Sequence, residues 1–153
     1  MTGEQVANSF PDPHGERASA SPPVYKPRSV PLQRTLLIDS TPPSLNVIAG
    51  RGARFAFTRA KRRWQADLAT LLMLRGVPRR LDRVEATATM TFSTRRRRDE
   101  GNFRVLLEKA LGDALVEGGW LDDDTPDRYS FGAVTFALGS PRTAVRLRYW
   151  RAA

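Results

Sequence analysis

From Val84 to Phe92 every second residue is apolar (Val84, Ala86, Ala88, Met90, Phe92), and the residues between are Glu85, Thr87, Thr89 and Thr91. A two-residue period is the pleat of a β-strand with one dry and one wet face. Such a strand cannot stand alone, because its backbone needs neighbouring strands and its dry face needs a covering layer. The remaining sequence offers both. Leu36, Leu37 and Ile38 predict an earlier strand, stopped by Pro42-Pro43. Trp64, Leu68, Leu71, Leu72 and Leu74 recur at helical spacing and predict a helix over 58–75, capped by Thr58 and ended by Gly76-Val77-Pro78. A second helix, opened by Asn102, carries Phe103, Leu106, Leu107, Ala110, Leu111 and Ala114 on one broad face and ends at Gly118-Gly119. Strand-like stretches follow at 129–137 and 143–150. The order strand, helix, strand, helix, strand, strand predicts a mixed α/β (α+β) sheet with helices packed mainly on one side.

The 153 residues suit one domain. Residues 1–33 hold six of the eleven prolines and few apolar side chains, so they are expected to form a flexible tail before a folded domain over 34–153. The only histidine, His14, lies in that tail between Pro13 and Gly15, which argues against a histidine-based catalyst. No cysteine is present, which removes disulfides, thiolate metal sites and Cys nucleophiles. The first residues lack the charged and apolar regions of a secretory signal, and no apolar run approaches the ~18 residues of a membrane span. A cytoplasmic chain without membrane contact is expected.

Net charge is +9, a balance that points to a polyanionic partner. Its distribution is uneven. Between Gly50 and Arg98 fourteen Lys and Arg stand against three acids, and after Asp127 there are five Arg and no acid. Between Asp99 and Asp127 nine acids face only Arg104 and Lys109. Carboxylates on a phosphate-binding surface are costly unless a cation lies between acid and phosphate, and Mg²⁺ needs only a few carboxylates because it keeps waters and shares phosphate oxygens. Asp99 with Glu100, and Asp122, Asp123 and Asp124, are the candidate ligands. The two clusters can converge if the strand after Asp124 neighbours the strand before Asp99. Arg95, Arg96, Arg97 and Arg98 would then grip a nucleic-acid backbone, DNA or RNA, with Lys61, Arg62 and Arg63 as a second basic group. A plain helix start, a polar turn and charge balancing along the chain remain the structural alternatives, as does a solvated face for the second basic group.

In order along the chain, Arg95-Arg96-Arg97-Arg98-Asp99-Glu100-Gly101-Asn102, Asp113-Ala114-Leu115 and Gly119-Trp120-Leu121-Asp122-Asp123 resemble the RusA family of Holliday-junction resolvases, small phage and prophage endonucleases. With Pro42-Pro43-Ser44-Leu45-Asn46 and the closing hairpin, the resemblance covers residues 34–150. It implies a homodimer that nicks two opposing strands of a four-way DNA junction with Mg²⁺ or Mn²⁺. Residue by residue, it implies Asp99 and Asp123 as metal-binding, catalytic aspartates, with Asp122 beside the latter. Two positions depart from the family pattern. Gly101 stands where a second aspartate is usual, and Val105 where a lysine is usual. The stretch from Asn102 to Asp113 is also longer than the family pattern by about four residues, close to one helical turn. Lys109 therefore falls on nearly the same helix flank as Val105 and is the candidate replacement for the lysine. Glu100, Glu108 or Asp124 is the candidate replacement for the lost carboxylate, Glu108 being turned furthest from Asn102. Two alternatives stay open: Lys109 simply paired with Asp113, and a branched-DNA-binding protein whose catalytic site is weakened.

Overall fold

The computed structural model describes residues 30–50 and 52–153. Most of the expected tail, including His14, lies outside the described residues. Seven elements follow in order: β1 (Leu32–Ile38), α1 (Leu45–Ile48), α2 (Ala53–Leu74), β2 (Leu81–Phe92), α3 (Gly101–Glu117), β3 (Tyr129–Leu138) and β4 (Arg142–Arg151). The four strands form one sheet in the order β1-β4-β2-β3, with β2 and β3 parallel and the other pairs antiparallel. This is the mixed α+β architecture that the element order predicts. Among the described residues, no helix is long and apolar enough to cross a membrane.

Burial follows the strand period. On β4, Thr143, Val145, Leu147 and Tyr149 are buried, whereas Arg142, Arg146 and Arg148 are exposed. The dry face meets α2 through Trp64, Leu68 and Leu72, and α3 through Leu106, Leu107, Ala110, Leu111 and Leu115. Each large apolar side chain removed from water in this way contributes about 1.5–3 kcal/mol. A bulge keeps β3 in phase with this core. Ala86 pairs with Phe131 but Ala88 pairs with Val134, so Gly132 and Ala133 together oppose Thr87. Without the extra residue, Val134 would point to the wet face.

Three local expectations change. β1 begins at Leu32, two residues before Arg34. Helix α2 begins at Ala53, not near residue 58, because Gly52 adopts a left-handed conformation (φ 84°) that starts the helix a turn earlier. Thr58 is therefore interior, and its hydroxyl donates to the Arg54 carbonyl at 2.9 Å instead of capping. Arg59, Lys61, Arg62 and Arg63 lie in the second and third turns, where the repulsion between cations and a helix N-terminus has faded. In α3 Asn102 is already helical, and Glu100 before the helix is itself αR (φ −53°, ψ −45°) and makes no side-chain cap bond, so the capping contact comes from Asp99, whose Oδ1 accepts the Gly101 N–H at 2.9 Å. At the other end of α3 the expected Gly118-Gly119 stop is present. Gly119 is left-handed (φ 73°), and a Cβ on Gly118 would overlap the indole of Trp120. Trp120 is buried there and donates from Nε1 to the Val77 carbonyl at 2.9 Å.

Candidate functional site

Helix α3 runs antiparallel to β3, and a ladder of polar contacts fixes their register. Glu100 Oε1 accepts the Val134 N–H at 3.1 Å, the Arg104 guanidinium donates to the Phe131 carbonyl, and the Tyr129 hydroxyl donates to the Glu108 carbonyl at 2.9 Å. Burial, together with the charges of Glu108 and Asp124, pushes the Tyr129 phenol far above its ordinary range, so it stays a proton donor. Edge-to-face contacts among Phe92, Phe103 and Phe136, with ring centroids 5.5–6.0 Å apart, pin the start of α3 to the ends of β2 and β3.

Charges meet at the other end of the helix. Asp113 takes Lys109 on one oxygen at 3.1 Å and Lys61 of α2 on the other, and Lys109 Nζ also lies 3.9 Å from Asp124 Oδ2. Burial alone would raise the Asp113 pKa. Hydrogen bonds and charge from Lys61 and Lys109 outweigh burial and hold the carboxyl below its ordinary value. The hydrogen bond and charge of Asp113, aided by Asp124 against some desolvation, raise the Lys109 ammonium above its own. Lys109, Val105, Glu108, Asp124, Tyr129 and Phe57 line one cleft of about 720 Å³. Val105 and Lys109 thus share a flank, as helical spacing requires, and Lys109 is also paired with Asp113. Glu108 shares the cleft, although the helical wheel turns it from Asn102, because the cleft reaches from Arg104 to Asp124.

The two acidic clusters do not come together. β2 and β3 are neighbours, but they are parallel, so Asp124 approaches the start of β2 while Asp99 follows its end. Asp99 lies against Gly101, and Asp124 Oδ2 lies 3.6 Å from where a Gly112 Cβ would be. Eleven residues of α3 separate these points, about 16 Å along the axis. Ligands of one Mg²⁺ at ~2.1 Å cannot be more than about 4 Å apart, so Asp99 and Asp124 cannot share an ion within one chain. Among the described residues no group of three or more His, Cys, Asp and Glu is placed to hold a metal. Glu100 is held by Val134 and Arg104, the latter at 3.6 Å. Asp123 closes a turn, its Oδ1 accepting from the Thr125 hydroxyl at 2.6 Å and amide at 3.2 Å. The Thr125 hydroxyl, then the amide, keeps the exposed Asp123 carboxyl below its ordinary pKa. Asp122 is exposed beside it.

The arginine run divides. Arg95, Arg96 and Arg97 are exposed, whereas Arg98 stacks 3.8 Å over the Phe92 ring and donates to the Arg96 carbonyl at 3.1 Å. Arg98 therefore shapes the loop. Arg62 and Arg63 are exposed on α2, while Lys61 is turned inward to Asp113. Sequence reasoning missed Asp113 as the bridge between two lysines. The Lys109–Asp113 spacing was visible, but Lys61 arrives only through packing of α2 on α3. No protein-family model and no curated protein matches the chain, so the resemblance to RusA resolvases rests on the ordered motifs themselves.

Proposed function

We propose that this chain is a divalent-metal-dependent endonuclease that acts in the cytoplasm, as a homodimer, on four-way junctions or related branched DNA. The observation that carries the reading is an ammonium, Lys109, held between Asp113 and Asp124 in a cleft of a chain whose net charge is +9. A paired lysine beside exposed carboxylates is an arrangement that can meet a phosphodiester and a cation together. Asp124 and Asp123 suit Mg²⁺ or Mn²⁺ in the mode that keeps most waters and takes few protein ligands, since Asp123 spends only Oδ1 on Thr125. Such an ion, when bound, polarises the phosphodiester and activates water. Lys109 offers its charge to the phosphate oxygen that gains charge, and Asp113, clamped by Lys61, sets the position of that amine. Asp99 serves as the cap of α3, too far away to share the ion. Two symmetric cuts require two copies of the cleft related by a two-fold axis.

The decisive experiment is cleavage of a synthetic four-way junction with Mg²⁺ or Mn²⁺, and with Ca²⁺ in parallel. Paired nicks with the first two and binding alone with Ca²⁺ are expected. A second reading, a branched-DNA-binding protein without catalysis, is favoured by the distance between Asp99 and Asp124. Tight junction binding with no nicking in Mg²⁺ or Mn²⁺ selects it, and absence of junction binding excludes both.

A further inference from the structure

Both long helices cover the same face of the sheet, and among the described residues no helix packs on the opposite face. Its central row is unusual in composition. Arg146 of β4 pairs with Thr35 of β1 on one side and Thr87 of β2 on the other, and one step along, Ala144 lies between Leu37 and Thr89. Thr89 in turn meets Thr135 of β3 through a 2.9 Å hydroxyl contact. Thr35, Thr87, Thr89, Thr135, Ala144 and Arg146 line a shallow hollow of about 260 Å³ in the middle of this face. Arg142 and Arg146 are exposed and have no acidic partner among the described residues. The strand acid on this side, Glu85, is neutralised by Arg83 at 3.0 Å and by Arg148 at 3.5 Å.

We propose that this opposite face is a second phosphate-binding surface, which grips the backbone of a DNA duplex arm on the side of the sheet away from α2 and α3. The inference rests on DNA being the partner, but not on the chemistry of the cleft. Small hydroxyl side chains leave the surface flat and offer donors to phosphate oxygens, and the arginines supply charge. A second copy of the chain fits less well, because two such faces would bring together two surfaces rich in arginine whose strand acid, Glu85, is already paired.

The test uses the full chain in Ca²⁺, titrating salt against a labelled linear duplex and a four-way junction. Arg142→Ala with Arg146→Ala should weaken binding to both and make log affinity against log salt shallower by about one unit per arginine. Thr87→Glu, an exposed position on the same face, should weaken binding by at least as much. Single-turnover cleavage at saturating junction, measured separately in Mg²⁺, should stay unchanged. Unaltered affinity and salt slope in both variants would overturn the proposal while leaving the cleavage reading intact. A change of oligomeric mass in the variants, with DNA binding preserved, would overturn it in favour of self-association. Failure of the unmodified chain to bind any DNA would overturn this inference and the proposed function together.

Discussion

The two ends of α3 both carry clustered charge, but they use it differently. At the start, Asp99 caps the Gly101 N–H, Glu100 accepts from Val134 and pairs with Arg104, and Arg98 lies on Phe92. Every one of these groups serves the local chain. Towards the far end, Lys61, Lys109, Asp113 and Asp124 come from two helices and a loop, and their mutual contacts satisfy no backbone group. Charge that the fold does not need for its own hydrogen bonds is available for a ligand. That contrast, not the density of acids, is the ground for proposing the Lys109 end as the site of the chemistry.

The largest test of the contrast is kinetic. Asp124→Asn and Lys109→Ala should each lower single-turnover junction cleavage by about 10²-fold or more, the usual cost of one electrostatic contact made in the transition state, with little change in affinity. Asp99→Asn should leave the rate within a few-fold. Val105→Lys in the Lys109→Ala background should recover part of the loss, because both side chains line the same cleft. A reversed pattern, with Asp99→Asn inactive and Lys109→Ala fully active, would move the site to the other end of the helix.

Next in size is Asp113, whose removal leaves two ammonium groups facing each other. Asp113→Asn should cost about 1–2 kcal/mol of stability, as expected for a partly buried pair broken on one side. Because the folded-state pKa of Asp113 is lowered, its contribution is present at neutral pH and above the unfolded-state value. It is lost as pH falls through the lowered folded-state value. Melting temperatures measured across the acid range should therefore fall less steeply in Asp113→Asn than in the unmodified chain. Parallel acid limbs would show that Asp113 is not held as described. The smallest effect belongs to the other end: Asp99→Ala should cost about 1 kcal/mol, the value of a helix cap, and denaturant midpoints would reveal it. No loss there, together with loss of cleavage, would show that Asp99 serves a ligand and not the helix.

Much of this contrast can be read from residues close in sequence. The period of β2, the apolar face of α3 and its glycine stop were legible because each is a local repeat with a local terminator. The start of α2 was not, since Thr58 looks like a cap and only the backbone of Gly52 shows where the turn closes. The charge reversal between Arg98 and Asp99 was visible, and so was the i to i+4 spacing of Lys109 and Asp113. Whether the two acidic clusters met was not, because that depends on strand direction: parallel pairing of β2 with β3 puts them far apart along α3. Lys61 was expected in a phosphate-gripping basic group with Arg62 and Arg63, and its turn inward to Asp113 was not legible for a related reason. Fifty-two residues separate it from Asp113, and nothing short of helix packing connects them.

The position of β4 bears on how the domain comes into being. Its ten residues are inserted between β1 and β2, so Ile38 waits for Thr143 and Leu32 for Tyr149. While the chain is being synthesised, β1 has no strand to join until β4 has been made, and closing a loop of about a hundred residues makes such pairing slow. A nascent chain paused after β3 would hold β2, α3 and β3 together, with the apolar side of β1 still exposed to water. The last strand is thus the seam of the sheet, and ribosomal pausing or truncation just before Arg142 should yield an aggregation-prone species instead of a smaller folded one.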